Sequence, residues 1–396
     1  MNKKLMAAAV AGALTVPAAA ALAQNVQMGG SLTIFYYKHD PENPSTGQKT
    51  DLMESSEPEL FVRVDEKLGG GTSAWFQCTS SIEGIISGSE TDNFWCGRNS
   101  AVGLRGDFGN VFFGNWDTPH KLVFNQARGW FGGTNSFTGG SARILLGGSA
   151  SGVSNGAVPG SFFRRQNKST NYHSPTWGGF SFNGSISSAS EGTGIPESSP
   201  LTPRMYSLGL NFSTGPVYVG VGYESHSDYN PTAVAGYTGG TDSNYVVVVG
   251  LRFGGFNGRL AYTKSEYESN TAAASQTLEV DGWGLFADWN IQGPHTLRFQ
   301  YADGGESSGT ATSGIGVYRA PATSGCGRTS NLSCASGTGA KVYSIFYSYA
   351  LSKRTEASIG YTAMANDDKG VFTLGKVNST AGNTQSSTGF VLKHRF

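Results

Sequence analysis

The last nine residues, Thr388 to Phe396, alternate between two kinds of side chain. Phe396, His394, Leu392, Phe390 and Thr388 fall on one parity; Arg395, Lys393, Val391 and Gly389 fall on the other. Successive side chains of a β-strand point to opposite faces. The segment therefore reads as a strand with one apolar and one charged face. Taken alone, it fits a half-buried strand of a soluble sandwich as well as the closing strand of a barrel in lipid.

The same short period recurs along the chain. It predicts strands over Ser31–Lys38, Glu59–Asp65, Thr72–Ser80, Ser100–Gly106, Val111–Asn115, Phe163–Tyr172, Phe180–Ser188 and Met205–Phe212. Further strands are predicted over Val217–Glu224, Tyr245–Arg252, Arg259–Tyr267, Leu278–Trp289, His295–Tyr301, Lys341–Tyr349, Thr355–Ala365 and Thr388–Phe396. Tight turns and long polar loops alternate between them. Gly69-Gly70-Gly71, Asp107 to Asn110 and Gly215-Pro216 supply the positive or fixed φ that tight turns need. Sixteen strands with this alternation of connections make an all-β, antiparallel transmembrane β-barrel. Such a barrel leaves a water-filled lumen. No helical periodicity, interdomain linker or plug-sized domain stands out.

At the other end, Lys3 and Lys4 precede an apolar run from Leu5 to Leu22, and Ala21-Leu22-Ala23 forms a small-x-small site. This pattern predicts a signal peptide over residues 1–23 and a barrel over 24–396. The apolar run holds Gly12 and Pro17 and meets no stop-transfer segment. No later stretch approaches the roughly 20 apolar residues of a spanning helix. An exported chain without helical spans is the expectation. Removing 23 of the 396 residues leaves 373, ample for one large β domain.

Composition agrees. Glycine is frequent (57 residues), and aromatics make up 12%. A barrel shows lipid only every second residue, so its average polarity looks soluble. Without Lys3 and Lys4, 26 basic residues face 28 acidic ones, a net of −2 that offers nothing to nucleic acid. Four cysteines suit an oxidising compartment. They fall in two local pairs, Cys78 with Cys96 and Cys326 with Cys334, and each pair is expected to close a loop disulfide. The rival is a zinc site, but neither spacing is C-x-x-C and no histidine lies nearby.

Catalytic chemistry is hard to find. The six histidines are scattered, with no H-E-x-x-H. Gly305-Glu306-Ser307-Ser308-Gly309 matches G-x-S-x-G, but it sits in a Gly/Ser-rich loop with no helix after it. Asp367-Asp368 and the Asp303–Glu306 region read as solvated loop charge. No enzyme activity, cofactor or metal is expected. Tyr36, Tyr37, Trp75, Trp177, Tyr206, Trp283, Trp289, Tyr301 and Tyr349 read as interface girdles. The competing role, a stacking slide for sugars, has its best candidates in Trp116, Trp130 and Phe131.

Several segments resemble the Gram-negative general porins of the betaproteobacterial type. They are Val102 to Val111 (VGLRGDFGNV) with Gly114, Arg165 to Pro175 (RQNKSTNYHSP) with Trp177-Gly178-Gly179-Phe180, Tyr206 to Leu210, Tyr349 to Thr355, and the Phe396 terminus. They spread over nearly the whole mature chain. The resemblance implies a homotrimer of barrels in the outer membrane, reached through the periplasm, that passes small hydrophilic solutes. It also implies contacts with outer-membrane lipid and lipopolysaccharide. Phe396 would act as the C-terminal signal read by the barrel-assembly machinery.

In that family the third loop folds into the lumen as a constriction loop. Here it corresponds to Trp116 through Gly160, and its length of about 45 residues favours a functional loop. Many relatives carry an acid cluster there. This loop has one acid, Asp117, against Lys121, Arg128 and Arg143. Parity places Arg63, Arg105 and Arg165 inside the barrel. These seven residues are the candidate pore constriction. Basic side chains across a narrow opening concentrate anions, so the channel is expected to lean toward them. Alternatively, the loop cations lie at the outer mouth or pair with lipopolysaccharide or loop carboxylates. A one-residue slip would invert the wall assignment. Other functional readings are a substrate-specific channel for a sugar or organic anion, a barrel enzyme with a catalytic rim, and a sealed adhesin.

Overall fold

The computed structural model describes residues 25–42, 50–87, 95–131, 137, 142, 145–147, 162–187, 201–228, 237–310, 337–370, 372–374 and 381–396. Residues 1–24, Arg143, Cys326 and Cys334 lie outside them, and with them the expected signal peptide and second disulfide. The first strands are β1 (Asn25–Pro41), β2 (Asp51–Gly69), β3 (Thr72–Ser81), β4 (Ser100–Gly106), β5 (Gly109–Asp117), β6 (Arg165–His173), β7 (Phe180–Ser187), β8 (Arg204–Thr214) and β9 (Val217–Ser227). They are followed by β10 (Tyr237–Gly239), β11 (Thr241–Phe253), β12 (Phe256–Thr271), β13 (Ser275–Gln292), β14 (His295–Gly304), β15 (Ser308–Gly309), β16 (Ala340–Ala350), β17 (Thr355–Asn366) and β18 (Thr384–Arg395). The short β10 and β15 extend the walls, pairing with β12 and β13 just beyond β11 and β14. The other sixteen make one closed antiparallel barrel.

Closure is made by β1 and β18, in a register that sets Ser31 opposite Arg395 and Tyr37 opposite Gly389. The amide of Gly30 donates to the Phe396 carbonyl (3.0 Å), and the Phe396 amide donates back to Gly30 (3.1 Å). A side chain on Gly30 would strike the Phe396 ring, so this seam needs a residue without one.

The period-2 pattern becomes an inside and an outside. On β16, Tyr343, Ile345 and Tyr347 point out, while Val342, Ser344 and Phe346 are buried within. On β18, Phe390 and Leu392 point out and Val391 points in, as the terminal alternation predicts. The outer sheath is apolar and aromatic, the dress of a wall in hydrocarbon.

Several expectations are corrected. Strands run beyond their predicted ends; β2 covers 19 residues, from Asp51 to Gly69. The strand expected from Phe163 begins at Arg165. Phe163 itself has φ 57° and a fully buried ring. Tyr37 and Trp75 belong to no outer girdle: both are buried inside. Tyr36 and Tyr37 are neighbours and cannot share a face. A helix exists after all, at Pro119–Arg128. Its start signal, Thr118-Pro119, and its stop, Gly129, were in the sequence, but ten residues with an apolar stripe are easily lost between glycine-rich stretches. Trp116 and Asp117 end β5 and so precede the loop.

Cys78 and Cys96 form the expected disulfide, tying the end of β3 to the chain returning toward β4. In the Cys78→Ser/Cys96→Ser variant, the loop, with a sequence separation of 18, should lose about 3 kcal/mol of local stability while the barrel persists. Far-UV circular dichroism and electrophoretic mobility of unheated protein should match wild type, with faster proteolysis confined to residues 82–99. Loss of the folded band would contradict a purely local staple.

Candidate pore constriction

The long loop leaves the wall at Thr118, whose side chain caps the helix by accepting from the Lys121 amide. Pro119 occupies the first turn, where its missing N–H costs nothing. At the far end Gly129 takes φ 53°, and its amide closes on the Asn125 carbonyl. Between these stops, Val123, Phe124 and Ala127 are fully buried against wall residues that include Val246, Val248 and Phe286. The loop therefore turns into the lumen.

The wall makes room for it. A Cβ on Gly209 would stand 2.9 Å from the Pro119 carbonyl oxygen. A Cβ on Gly222 would stand 2.7 Å from Val246 Cγ1 and 3.1 Å from His120 Cα. Gly209 and Gly222 face each other across β8 and β9, so together they form a smooth seat for the helix. Farther along, the Phe137 ring stacks on Tyr37 at 4.9 Å, and its carbonyl accepts from Thr362 Oγ1 at 2.5 Å. The Leu146 carbonyl accepts from Thr263 Oγ1 at 3.1 Å. The described loop residues thus lie along the walls from β8 round to β18 and β1.

Two polar anchors hold this apolar underside. In the first, His120 Nε2 donates to Asn244 Oδ1 (2.5 Å), and the His120 amide donates to Ser207 Oγ (3.1 Å). Beside it, His226 Nε2 meets Glu224 Oε1 at 2.9 Å, with Arg164 in the same buried cluster. Phe163 stacks on His120 at 4.7 Å and Phe162 on His226 at 4.8 Å. Burial lowers the His120 imidazole from 6.5 to about 4, against the opposing pull of Glu224 and Asn244.

The second anchor is Trp130. Its indole N–H donates to Glu356 Oε1 (2.6 Å), and the Arg298 guanidinium lies 4.6 Å from the ring centroid. Arg298 also pairs with Glu356 (2.8 Å) and Asp288 (3.3 Å), and Asp288 pairs with Arg259. Four alternating charges therefore bridge β12, β13, β14 and β17 behind the loop. Trp130 is held as a structural peg, and Trp116 packs on Trp75 and Phe112 at 5.8 and 5.1 Å.

By strand order, β2 lies across the lumen from the helix seat, and β3 to β5 carry the wall from there back toward it. Arg63 and Arg105 face inward there and share one carboxylate: Asp65 lies 3.2 Å from Arg63 Nε and 2.7 Å from Arg105 Nη2. The Arg63 guanidinium sits 5.7 Å from the Trp75 ring centroid. Where the loop leaves β5, Asp117 takes Lys121 at 2.7 Å and Arg165 at 3.4 Å. Arg165 Nε also donates to Asn99 Oδ1 at 2.6 Å. Arg128, at the helix end, lies over the Phe124 ring and donates to Asn125.

The predicted residues therefore fall into separate groups. Asp117, Lys121 and Arg165 come together as a buried ion cluster, Arg63 and Arg105 form a second group, and Arg128 stands apart. Sequence reading missed Asp65, Asp288, Glu356, Arg259 and Arg98, which pairs with Glu59 at 3.2 Å. Asp65 was within reach, being two residues from Arg63 and so on the same face. Arg298 shares the polar parity of its strand with Thr296 and Gln300. The partnership of Asp288 with two arginines depends on cross-strand register.

No helix among the described residues is long and apolar enough to cross a membrane, and none of their His, Cys, Asp and Glu side chains cluster as a metal site. A closed barrel with an apolar outside, a polar inside and an inward loop is an outer-membrane channel. The chain belongs to the Gram-negative porin family, whose profile matches residues 7–369. Among proteins of curated function, none matches it in sequence. Among solved structures it is similar to an anion-selective porin from Comamonas acidovorans (17% identity, 94% of this chain and 100% of that one, TM-score 0.68). It is also similar to the trimer form of OmpT, an outer membrane protein of Vibrio cholerae (12%, 94% and 100%, 0.63). A third similar structure is OmpF of Salmonella typhi in complex with daunomycin (11%, 94% and 98%, 0.55). At these identities the likeness is one of fold.

The folded imidazole of His120 titrates below the free one, so its seat is intact above about pH 6.5 and weakens as pH falls toward 4. Hydrogen exchange of the Pro119–Arg128 amides, corrected for intrinsic rates, should lose protection in that window, and His120→Gln should flatten the dependence. Equal protection at pH 7 and pH 4.5 would contradict it. A second expectation concerns the seat: Gly222→Leu overpacks it by about 1–3 kcal/mol. The barrel should still fold, while single-channel conductance changes because the helix is displaced; wild-type conductance would show that the helix does not border the path.

Proposed function

We propose that this porin is a passive diffusion channel for small hydrophilic solutes and ions, with a preference for anions. It has no chemical step. The carrying observation is the arginine wall: Arg63 and Arg105, 31% and 41% exposed, share the single carboxylate of Asp65, 16% exposed. The wall presents a net positive surface to water in the lumen, which raises the local concentration of anions and lowers that of cations. Arg165 and Lys121 contribute less, since both are buried against Asp117 and away from water in the lumen. The fold likeness to an anion-selective porin is in keeping with this reading.

Catalysis has no support at the buried acid–histidine cluster found among the described residues. Glu224, His226 and His120 are sealed beneath Phe162 and Phe163, where no substrate reaches them. Ser307 is half of a hydroxyl pair with Thr338 at 3.0 Å. With Trp116 and Trp130 packed, a sugar slide lacks free aromatic faces. Export through the periplasm with loss of residues 1–23, assembly as a homotrimer, recognition of Phe396 by the barrel-assembly machinery and contact with lipopolysaccharide complete the reading.

Reversal potentials under a KCl gradient test it. Wild type should favour chloride. Arg63→Glu/Arg105→Glu converts two guanidiniums and one carboxylate into three carboxylates, so the reversal potential should cross toward potassium. An unchanged potential in the folded variant would remove this wall from the selectivity mechanism.

A further inference from the structure

Charge on the inner wall differs between the two ends of the barrel. The tight turns at Gly69–Gly71, Gly254–Gly255 and Leu351–Arg354 mark one end, and the long loops mark the other. Short turns face the periplasm in such barrels. Near that end stand Arg63, Arg105, Arg259 and Arg298. Strand parity adds Lys67, Arg252, Lys393 and Arg395. Lys67 lies in register with Ser73, and Ser73 with Arg105. Arg252 is opposite Asn257, one step along from Arg259 opposite Gly250. Lys393 and Arg395 continue the inward row of Gly389 and Val391. Against these eight cations, the inward carboxylates at this end are Asp65, Asp288 and Glu356, among the described residues. Lys67, Arg252 and Arg395 enter no ion pair among the described residues.

The other end is more nearly balanced among the described residues, where Arg98, Lys121, Arg164 and Arg165 meet Glu59, Asp117 and Glu224. Among the described residues the larger cationic excess therefore lies in the periplasmic vestibule.

We propose that this vestibule is a specificity-determining element of the channel and makes its current rectify. The proposal rests on the anion reading and locates where anions are gathered. A cationic zone fills with anions and turns cations back. When voltage drives anions from this zone into the more nearly balanced half, cations arriving from the other side halt at the zone. Both ions then accumulate in the more nearly balanced half and conductance rises. The opposite polarity empties that half and conductance falls. Screening limits the effect, because the Debye length is about 10 Å at 0.1 M salt and about 3 Å at 1 M.

Single-channel currents of the full-length protein at equal and opposite voltages test this. At about 0.1 M KCl the current should be larger, by tens of per cent, when chloride is driven from the periplasmic side, and the ratio should approach one at about 1 M. Lys67→Gln/Arg252→Gln should bring the low-salt ratio toward one. Arg252→Cys gives a second route in an already folded channel. A negatively charged methanethiosulfonate should react from the periplasmic chamber, which fixes the orientation, and should reduce rectification as it reacts. A chloride-selective channel with symmetric current, the opposite polarity of rectification, or variants that keep the wild-type ratio would each overturn the vestibule proposal and leave the proposed function standing. A potassium-favouring reversal potential in wild type would instead overturn the anion reading on which it rests.

Discussion

A strand exposed to hydrocarbon has nowhere to place an unpaired amide, so every strand of this chain depends on the seam between β1 and β18. That seam turns an open sheet with two costly edges into a ring with none. It fixes parity all the way round, because a slip of one residue at any ladder would turn lipid-facing residues into the lumen. The glycine at position 30 and the aromatic ring at position 396 are the local expression of that demand: one gives up a side chain so that the other can lie over the closing ladder.

Once the ring is closed, the lumen is a second solvent compartment, and the long loop solves a packing problem within it. A loop crossing water would lose entropy with little return. This one gains by burying Val123, Phe124, Phe131, Phe137 and Leu146 against wall residues that face inward without facing water. Glycines at 209 and 222 bring backbone to backbone, while His120 and Trp130 satisfy polar groups that burial would otherwise strand. The apolar half of the inner wall thus belongs to the loop. The charged half, whose Arg63 lies over the buried cluster of Trp75, Phe112 and Trp116, is left to the passing solutes.

Charge follows the same division. Cations that touch the loop or its roots are mostly neutralised: Lys121 and Arg165 by Asp117, Arg298 by Glu356 and Asp288. In low dielectric an unmatched charge would cost several kcal/mol, so the matching is imposed by burial. Arg63 and Arg105 stay partly hydrated and can share one acid without that penalty. Position in the fold, more than the count of basic residues, separates structural charge from charge that acts on ions.

The sequence by itself determined the alternation, and with it the number of strands, the outward face of Phe390 and Leu392, the inward face of Arg63 and Arg105, and the local Cys78–Cys96 bridge. These are short-range matters: side-chain parity has a fixed period, and nearby cysteines meet without long-range information. Where two aromatics were adjacent, as at Tyr36 and Tyr37, parity was available and had to be applied. What only the tertiary structure decided is partnership across the barrel. Asp288 is 29 residues from Arg259 and 10 from Arg298, and Glu356 is 226 residues from Trp130. Whether the basic residues of the loop face water or carboxylates was likewise open until the loop was laid against the wall. Such pairings follow from the register around a closed ring and from the path of one loop inside it, and no window along the chain contains either.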